Sequence, residues 1–167
     1  LTLFYNNCIK FNHMFNIVLF EPEIPPNTGN IIRLCVNTNS NLHLIKPMGF
    51  NLDDKPLKRA GLDYRDLAKV NVYENYNDCF NHLKKMRHFA VTTKALNHYH
   101  HFEYKSGDVF VFGPETRGLP PERLDDKRNY ANIRVPMVKN NRSINLSNTV
   151  AVVLFEAWRQ IEFTQGV

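Results

Sequence analysis

The chain has 167 residues, of which 43% are hydrophobic and 22% charged, with a formal net charge of +5 at pH 7. This length and composition predict a single globular domain with a substantial core. No apolar run approaches the ~20 residues of a membrane span, and the mildly basic balance permits an anionic partner such as RNA without requiring one.

The predicted elements alternate between strands and helices. Short apolar runs bounded by proline, glycine or polar residues predict strands, and apolar residues at helical spacing predict helices. Asn27 or Thr28 can cap the first helix. In chain order the elements are strand 15–20, helix 27–39, strand 42–45, a polar basic loop, strand 70–73, helix 76–85, strand 89–93, strand 109–112, helix 119–124, strand 131–135 and helix 146–161. This alternation predicts an α/β fold with a mostly parallel sheet.

The segment before Met14, LTLFYNNCIKFNH, has neither the apolar core nor the small-residue cleavage site of a secretory signal. Strand-like sequence begins directly after Met14. We therefore expect residues 1–13 to be non-native or upstream sequence, and residues 14–167 to form one domain.

Two groups of potential metal ligands are present, and neither predicts a metal site. The cysteines are odd in number, far apart and without a CxxC pair: Cys8, Cys35 and Cys79. The motif NHYHH carries His98, His100 and His101, but no carboxylate or cysteine accompanies them at the spacing of a known ligand set. We therefore expect surface histidines, no disulfide framework and a protein of the reducing cytoplasm.

The last predicted helix is apolar on more than one face. Val150, Val153 and Leu154 follow helical spacing, whereas Val152 and Phe155 lie outside that stripe. A helix that is apolar on several faces is buried on more than one side. In so short a chain this pattern predicts a subunit interface.

Three loops at the carboxyl ends of predicted strands are unusually constrained: TTK, GPETRG and PMVKNNRSINLSN. In an open α/β sheet, ligands bind beyond these strand ends. Glycine lets the backbone approach a ligand closely, and Pro114 and Pro136 fix the direction of the chain. The loops are therefore suited to hold a flat polar ligand through backbone groups, with tight turns as the alternative.

The stretch NNRSINLSN has seven polar residues in nine, directly before the last helix. Ser143, Asn145 or Ser147 can provide the helix N-cap, but one cap explains one residue. The others can satisfy buried backbone groups or contact a ligand. The sequence lacks the common phosphate and hydrolase signatures, because GK[ST] does not follow PNTG, and neither GxGxxG nor a nucleophile elbow occurs.

Four segments in one order, PNTGNIIR, VTTK, FGPETRGLP and IRVPM…RSINLSNTVAVVLFEAWRQ, resemble the SPOUT methyltransferases. They span nearly all of the chain from Met14 to Gln160. EPEIPPNTGNIIRLC, RAGLDY and FEAWRQ are similar to the small single-domain tRNA (cytidine/uridine-34-2'-O)-methyltransferase group. The resemblance implies an α/β sheet whose C-terminal chain forms a deep trefoil knot, an exception to the general rule against knots.

The resemblance also implies a cofactor, S-adenosyl-L-methionine (AdoMet), which is bound in the knot and leaves as S-adenosyl-L-homocysteine, with no metal. A homodimer through the Asn27–Arg33 helix and the C-terminal helix is implied as well, in agreement with the apolar last helix. The implied cofactor contacts, many of them through backbone groups, are Val91, Thr92, Gly113, Glu115, Val135, Met137, Ser143 and Leu146. A Cβ at Gly113 would then intrude on the cofactor.

The catalytic roles that the resemblance implies centre on Arg33, which by itself indicates only a surface arginine on an amphipathic helix. Because arginine stays protonated, we expect Arg33 to orient the acceptor hydroxyl and stabilise charge rather than act as the base. The residues expected to shape the site around it are Asn30, Glu115, Ser143 and Asn145. Glu115 is expected to position backbone or Arg117.

The implied activity is AdoMet-dependent 2'-O-methylation of the ribose at wobble position 34 of tRNA, cytidine or modified uridine, in leucine isoacceptors. The tRNA would bind a composite dimer surface through basic residues, each of which alone indicates a solvated side chain: Lys46, Lys55, Lys58, Arg59, Arg65, Arg117 and Arg142. The alternatives are methylation of another tRNA or rRNA position, and an RNA-binding protein without catalysis. A nucleotide-binding module of another fold lacks its phosphate loop in this sequence.

Overall fold

The computed structural model describes residues 14–52, 67 and 70–167. Its elements in chain order are β1 (Asn16–Phe20), α1 (Pro25–Asn37), β2 (Asn41–Ile45), β3 (Val70–Tyr73), α2 (Tyr76–Leu83), β4 (His88–Val91), β5 (Asn97–His98), a 3-10 turn (Tyr99–His101), β6 (Val109–Phe112), α3 (Pro121–Leu124), β7 (Ala131–Arg134) and α4 (Leu146–Gln160). The segment 1–13 lies outside the described residues, as do four predicted RNA contacts, Lys55, Lys58, Arg59 and Arg65. Within the described part of the chain, no helix has the length and apolarity that crossing a membrane requires.

The strands form one seven-stranded sheet in the order β3-β2-β1-β6-β4-β7-β5. Every ladder between described strands is parallel, which confirms the predicted α/β fold with a mostly parallel sheet. The predicted strands are all present, with ends that differ by one or two residues. Strand β5 was not predicted, because two residues at a sheet edge give no periodic pattern.

Helices cover both faces of the sheet. On one face α1 and α4 pack together, and Ile31, Val150 and Leu154 belong to one buried cluster. On the other face α2 contributes Cys79 and Phe80 to a second buried cluster. A strand covered on both faces has no polar side, which explains why β6 is the continuous apolar run VFVF.

Helix α1 begins two residues before the predicted start, and neither Asn27 nor Thr28 is its N-cap. The N-cap is Ile24, whose side chain cannot accept a hydrogen bond, and Pro25 takes the first helical position. Proline suits that position because the N–H that it lacks would have no partner inside the helix. The predicted cap was wrong because the capping group comes from a distant part of the chain, as described below.

Helix α4 has one buried face and one exposed apolar face. Val153 and Ala157 are fully buried, whereas the side chains of Val152 and Phe155 are 39% and 46% exposed. The apolar residues outside the predicted stripe are therefore uncovered in the single chain.

Candidate active site

A cavity of about 350 Å³ lies at the carboxyl ends of β4, β6 and β7, which are neighbours in the sheet. Its walls come from the loops after these strands and from the start of α1. Ligands bind at this edge in open parallel sheets. The structure brings all the implied cofactor contacts into this wall: Val91, Thr92, Gly113, Glu115, Val135, Met137, Ser143 and Leu146.

The wall also contains residues that the sequence analysis did not assign to the cofactor. Ile24 and Asn27 come from the start of α1, and Lys94 comes from the TTK loop. Lys94 stands two residues after Thr92 in the same motif, so that motif could have indicated it. Asn27 was missed because a polar residue at a predicted helix start indicates a cap.

Gly113 is required by the loop that it starts, which differs from the expectation that a Cβ there would meet the cofactor. An added Cβ would lie 2.2 Å from the backbone nitrogen of Leu119 and 2.3 Å from the carbonyl carbon of Gly118. The loop turns back on itself through Gly118, whose φ is +69° and whose N–H donates to the Pro114 carbonyl at 2.9 Å. The sharp end of β6 is therefore a property of the loop before any ligand is considered.

Glu115 supplies the cap that α1 lacks. Its Oε2 accepts from the Glu23 N–H at 2.8 Å, and its Oε1 accepts from the Ile24 N–H at 3.3 Å. The same Oε1 accepts from Nδ2 of Asn27 at 3.0 Å. A carboxylate at a helix N-terminus is also favoured by the positive end of the helix dipole. Glu115 thus holds the backbone at the start of α1.

The opposite carboxylate, Glu23, holds the GPETRG loop in return. Its Oε2 accepts from the hydroxyl of Thr116 at 2.6 Å and from the Thr116 N–H at 3.1 Å. The hydroxyl hydrogen bond is the main cause that lowers the pKa of Glu23. Arg117 does not contact Glu115; its Nη2 lies 2.6 Å from Oε2 of Glu21 and its Nε lies 3.6 Å from Oε1 of Glu23. The two loops are therefore bound to each other by reciprocal contacts.

Asn145 extends this network to the last helix. Its Nδ2 donates to Oδ1 of Asn27 at 2.9 Å, and its Oδ1 accepts from the Ser147 N–H at 2.9 Å as the N-cap of α4. Of the three predicted candidates for this cap, Asn145 is the one that the structure selects. Asn27 is 6% exposed and joins Glu115 to Asn145, so one buried amide connects the loop, α1 and α4.

The remaining residues with implied catalytic roles are more exposed. Ser143 is an exposed part of the cavity wall, whereas Asn30 and Arg33 are exposed on α1 outside it. Arg33 lies six residues after Asn27, which is about 9 Å along the helix axis. Within the described residues its guanidinium makes no hydrogen bond or ion pair, so its charge is available to a ligand.

The implied RNA contacts that the structure describes differ in their partners. Lys46 pairs with Glu74 at 2.7 Å on the surface, and Arg117 pairs with the two carboxylates named above. Arg142 is exposed, lies beside the cavity wall and has no ion pair within the described ranges. Arg142 is therefore the described candidate whose charge is least offset.

We expect Gly113→Ala to destabilise the protein by about 3 kcal/mol, the upper part of the range for overpacking, because its Cβ meets backbone that cannot rotate away. Gly118→Ala is the matched control: nothing lies within 4 Å of its added Cβ, and it bears only the conformational cost of a positive φ, about 1 kcal/mol. Urea unfolding followed by circular dichroism measures both. Equal stability of Gly113→Ala and wild type would contradict the contact.

Comparison with known proteins shows which family the chain is similar to. Residues 14–155 match the SpoU rRNA methylase family. A tRNA (cytidine(34)-2'-O)-methyltransferase from Methylovorus glucosotrophus (strain SIP3-4) is 57% identical over 154 residues, which cover 92% of this chain and 100% of the relative. A solved structure that concerns 2-OH methylation of C/U34 on tRNA has a TM-score of 0.84 and 37% identity, over 91% of this chain and 99% of that chain.

A more distant structure shows how widely the fold is shared. The SpoU methyltransferase AviRb from Streptomyces viridochromogenes, solved with AdoMet, has a TM-score of 0.76 at 17% identity, over 91% of this chain and 62% of that chain. At this identity the likeness concerns the fold alone. The family match, which extends over most of the chain, and the identity to the Methylovorus enzyme together show that this chain belongs to the SpoU methylase family.

Proposed function

We propose that this protein transfers a methyl group from AdoMet to the ribose 2'-hydroxyl at wobble position 34 of tRNA, on cytidine or modified uridine, in leucine isoacceptors. The observation that carries the proposal is the cavity at the ends of β4, β6 and β7, because three separate loops bring the implied cofactor contacts into one wall. The Methylovorus relative, named for cytidine 34 of tRNA, supports the choice of substrate.

The size and lining of the cavity support AdoMet as its ligand. Its volume, about 350 Å³, is in the range of small-molecule sites. Val91, Val135 and Leu146 offer an apolar surface to a flat base, while the loops after β4 and β6 offer backbone N–H and C=O groups. AdoMet, when bound, supplies an electrophilic methyl on a sulfonium that is its own leaving group. We therefore expect S-adenosyl-L-homocysteine as the second product and no metal in this reaction.

The chain's part in the reaction is to align the acceptor and to stabilise charge. Alignment alone can supply up to ~7–11 kcal/mol of the barrier reduction. Arg33 is exposed and unpaired within the described residues, so we assign it to the acceptor hydroxyl and its neighbouring phosphate. Arg33 lies on α1. Hydrogen bonds from the Ile24 N–H and from Asn27 to Glu115 link the start of this helix to the cavity wall. Asn30, Ser143 and Asn145 shape the surroundings.

A homodimer through α1 and α4 belongs to the same proposal. The two helices pack side by side, and Val152 and Phe155 leave an apolar face of α4 uncovered. A second copy would bury this face and bring two sets of basic residues together for the tRNA. Sedimentation equilibrium tests this point, and a monomer at assay concentrations would contradict it.

Three further parts of the proposal concern the chain as a whole. The course of the chain after β7 supports the deep trefoil knot. This segment lines the same cavity as the GPETRG loop, and it then continues into α4. An enzyme that acts on tRNA is expected in the cytoplasm.

Residues 1–13 are proposed to lie upstream of a single domain that begins at Met14, where the family match also begins. Peptide mass spectrometry of the native protein tests this start, and a peptide that spans residues 11–15 would contradict it.

The reaction and substrate are tested with tritiated AdoMet and total tRNA from a strain that lacks this activity, followed by nuclease mapping of the labelled nucleotide. We expect label in a 2'-O-methylated residue at position 34. Label at another tRNA position, or in rRNA alone, would replace the substrate but keep the reaction. AdoMet binding without any transfer would favour an RNA-binding protein without catalysis.

Arg33→Ala should lower the rate of methyl transfer by about 100-fold or more, because it removes charge stabilisation at the acceptor. AdoMet affinity, measured by calorimetry, should remain unchanged because Arg33 lies outside the cavity wall. The control is Lys85→Ala, which removes a positive charge from an exposed side chain just after α2 that has no ion pair within the described residues. Wild-type turnover by Arg33→Ala, or an equal loss in both variants, would remove Arg33 from the mechanism.

A further inference from the structure

The motif NHYHH lies at an edge of the sheet, and none of its residues lines the cavity. His98 is the last residue of β5, the edge strand that pairs with β7. The chain then makes the 3-10 turn Tyr99–His101. No part of the proposed methyl transfer uses this segment.

The turn brings three histidines together in a way that their spacing alone did not predict. His98 is the extended N-cap residue of the turn and His101 is its last residue, so the turn folds the chain back and brings these two side chains together. The ring centroids of these two residues are 5.2 Å apart, and that of His100 lies 4.4 Å from His101 and 5.6 Å from His98. One ring nitrogen from each histidine lies within 4.8 Å of the other two.

These nitrogens have little competition from other protein groups. Within the described residues, none of the three rings has a hydrogen bond or an ion pair. His100 and His101 are exposed and His98 is half-buried, so a metal ion has access from solvent. Their rings can therefore turn without breaking a hydrogen bond or an ion pair within the described residues, although the ring of His100 also packs edge-on against Tyr99.

Some charged groups near the three histidines favour a bound cation and others oppose it. The carboxylate of Glu156 on α4 is close enough to interact electrostatically with His100, and its pKa is lowered mainly by its hydrogen bond from Arg159. This anion favours a cation at the cluster. Arg159 itself and Arg134, the register partner of His98 on β7, oppose it. A site of moderate rather than extreme affinity is the physical expectation.

We propose that His98, His100 and His101 form a metal site that takes Zn²⁺ or a similar imidazole-binding divalent ion. Neutral imidazole is a preferred zinc ligand, and three imidazoles leave a fourth tetrahedral position for water or another ligand. Zn–N bonds of about 2.0–2.1 Å place tetrahedral nitrogens ~3.4 Å apart. The present spacing of up to 4.8 Å therefore has to close by about 1.4 Å, which rotation of exposed rings can provide.

The described residues elsewhere offer weaker alternatives. The Nε2–H of His88 donates to the Leu83 carbonyl at 3.1 Å in the core, and burial lowers the pKa of His88. The thiols of Cys35 and Cys79 are buried, and burial raises their pKa values, so they remain protonated and bind metal poorly. His82 is exposed but stands apart from the cluster, which makes it a matched control.

The test is calorimetric titration of ZnCl₂ into the tag-free full-length protein, with Co²⁺ absorption as a second probe of coordination. We expect one ion per chain in wild type, and at least about tenfold weaker binding when both exposed ligands are changed, in His100→Gln/His101→Gln. His82→Gln should bind as wild type does. Circular dichroism should show unchanged folding, because the altered rings are exposed.

Several outcomes would overturn the site. No binding by wild type, equal binding by the double variant, or an equal loss in His82→Gln would each place the metal elsewhere or remove it. If the double variant misfolds, the single variants His100→Gln and His101→Gln decide the matter by the same comparison. The test does not depend on the proposed methyl transfer, because the readout is metal binding.

Discussion

The described structure depends most on one carboxylate, Glu115, which caps a helix that cannot cap itself. At the start of α1, Pro25 and the proline after it have no N–H to satisfy. The N–H groups of the next two residues, 27 and 28, donate to the Ile24 carbonyl at 3.1 and 3.3 Å. The N–H groups of Glu23 and Ile24 remain, and Glu115 accepts both. Every backbone donor at this helix end thereby has a partner within the chain.

The same hydrogen bonds that complete the fold also hold the cavity wall in position. The Oδ1 of Asn27 accepts a hydrogen bond from Asn145, and its Nδ2 donates one to Glu115. A displacement of either helix would therefore break a contact of the other. Loop, α1 and α4 contribute to one wall, and the side chains that cap the helices lie in that wall. A site built this way is held before ligand binds, which is the condition for efficient alignment of reactants.

Local patterns in the sequence predicted the strands, the parallel sheet and the three constrained loops around the cavity, because burial on both sides and constrained strand ends affect the composition of neighbouring residues. The individual residues of the cavity wall were implied by the family resemblance. They did not predict contacts between distant residues. Glu115 lies 91 residues from Ile24, and Asn145 lies 118 residues from Asn27, so no spacing indicates either pair. Gly113 was singled out correctly as constrained, but its reason, the backbone of Gly118 and Leu119, needed the folded loop.

Three carboxylates lie in the cavity wall or pair with residues that line it, and they affect how an RNA could approach. Glu21, Glu23 and Glu115 would repel phosphates if they were unpaired, yet backbone N–H groups, Thr116 and Arg117 hold all three. The positive charge of Arg117 is therefore largely offset by Glu21 and Glu23. Its position at the cavity would by itself suggest a phosphate contact. Charge that attracts a polyanion has to come from cations without a protein partner. Among the described residues at and near this site, Arg33, Arg142 and Lys94 of the cavity wall meet that condition. Arg33 and Arg142 lie on the two segments that the buried amide of Asn27 connects.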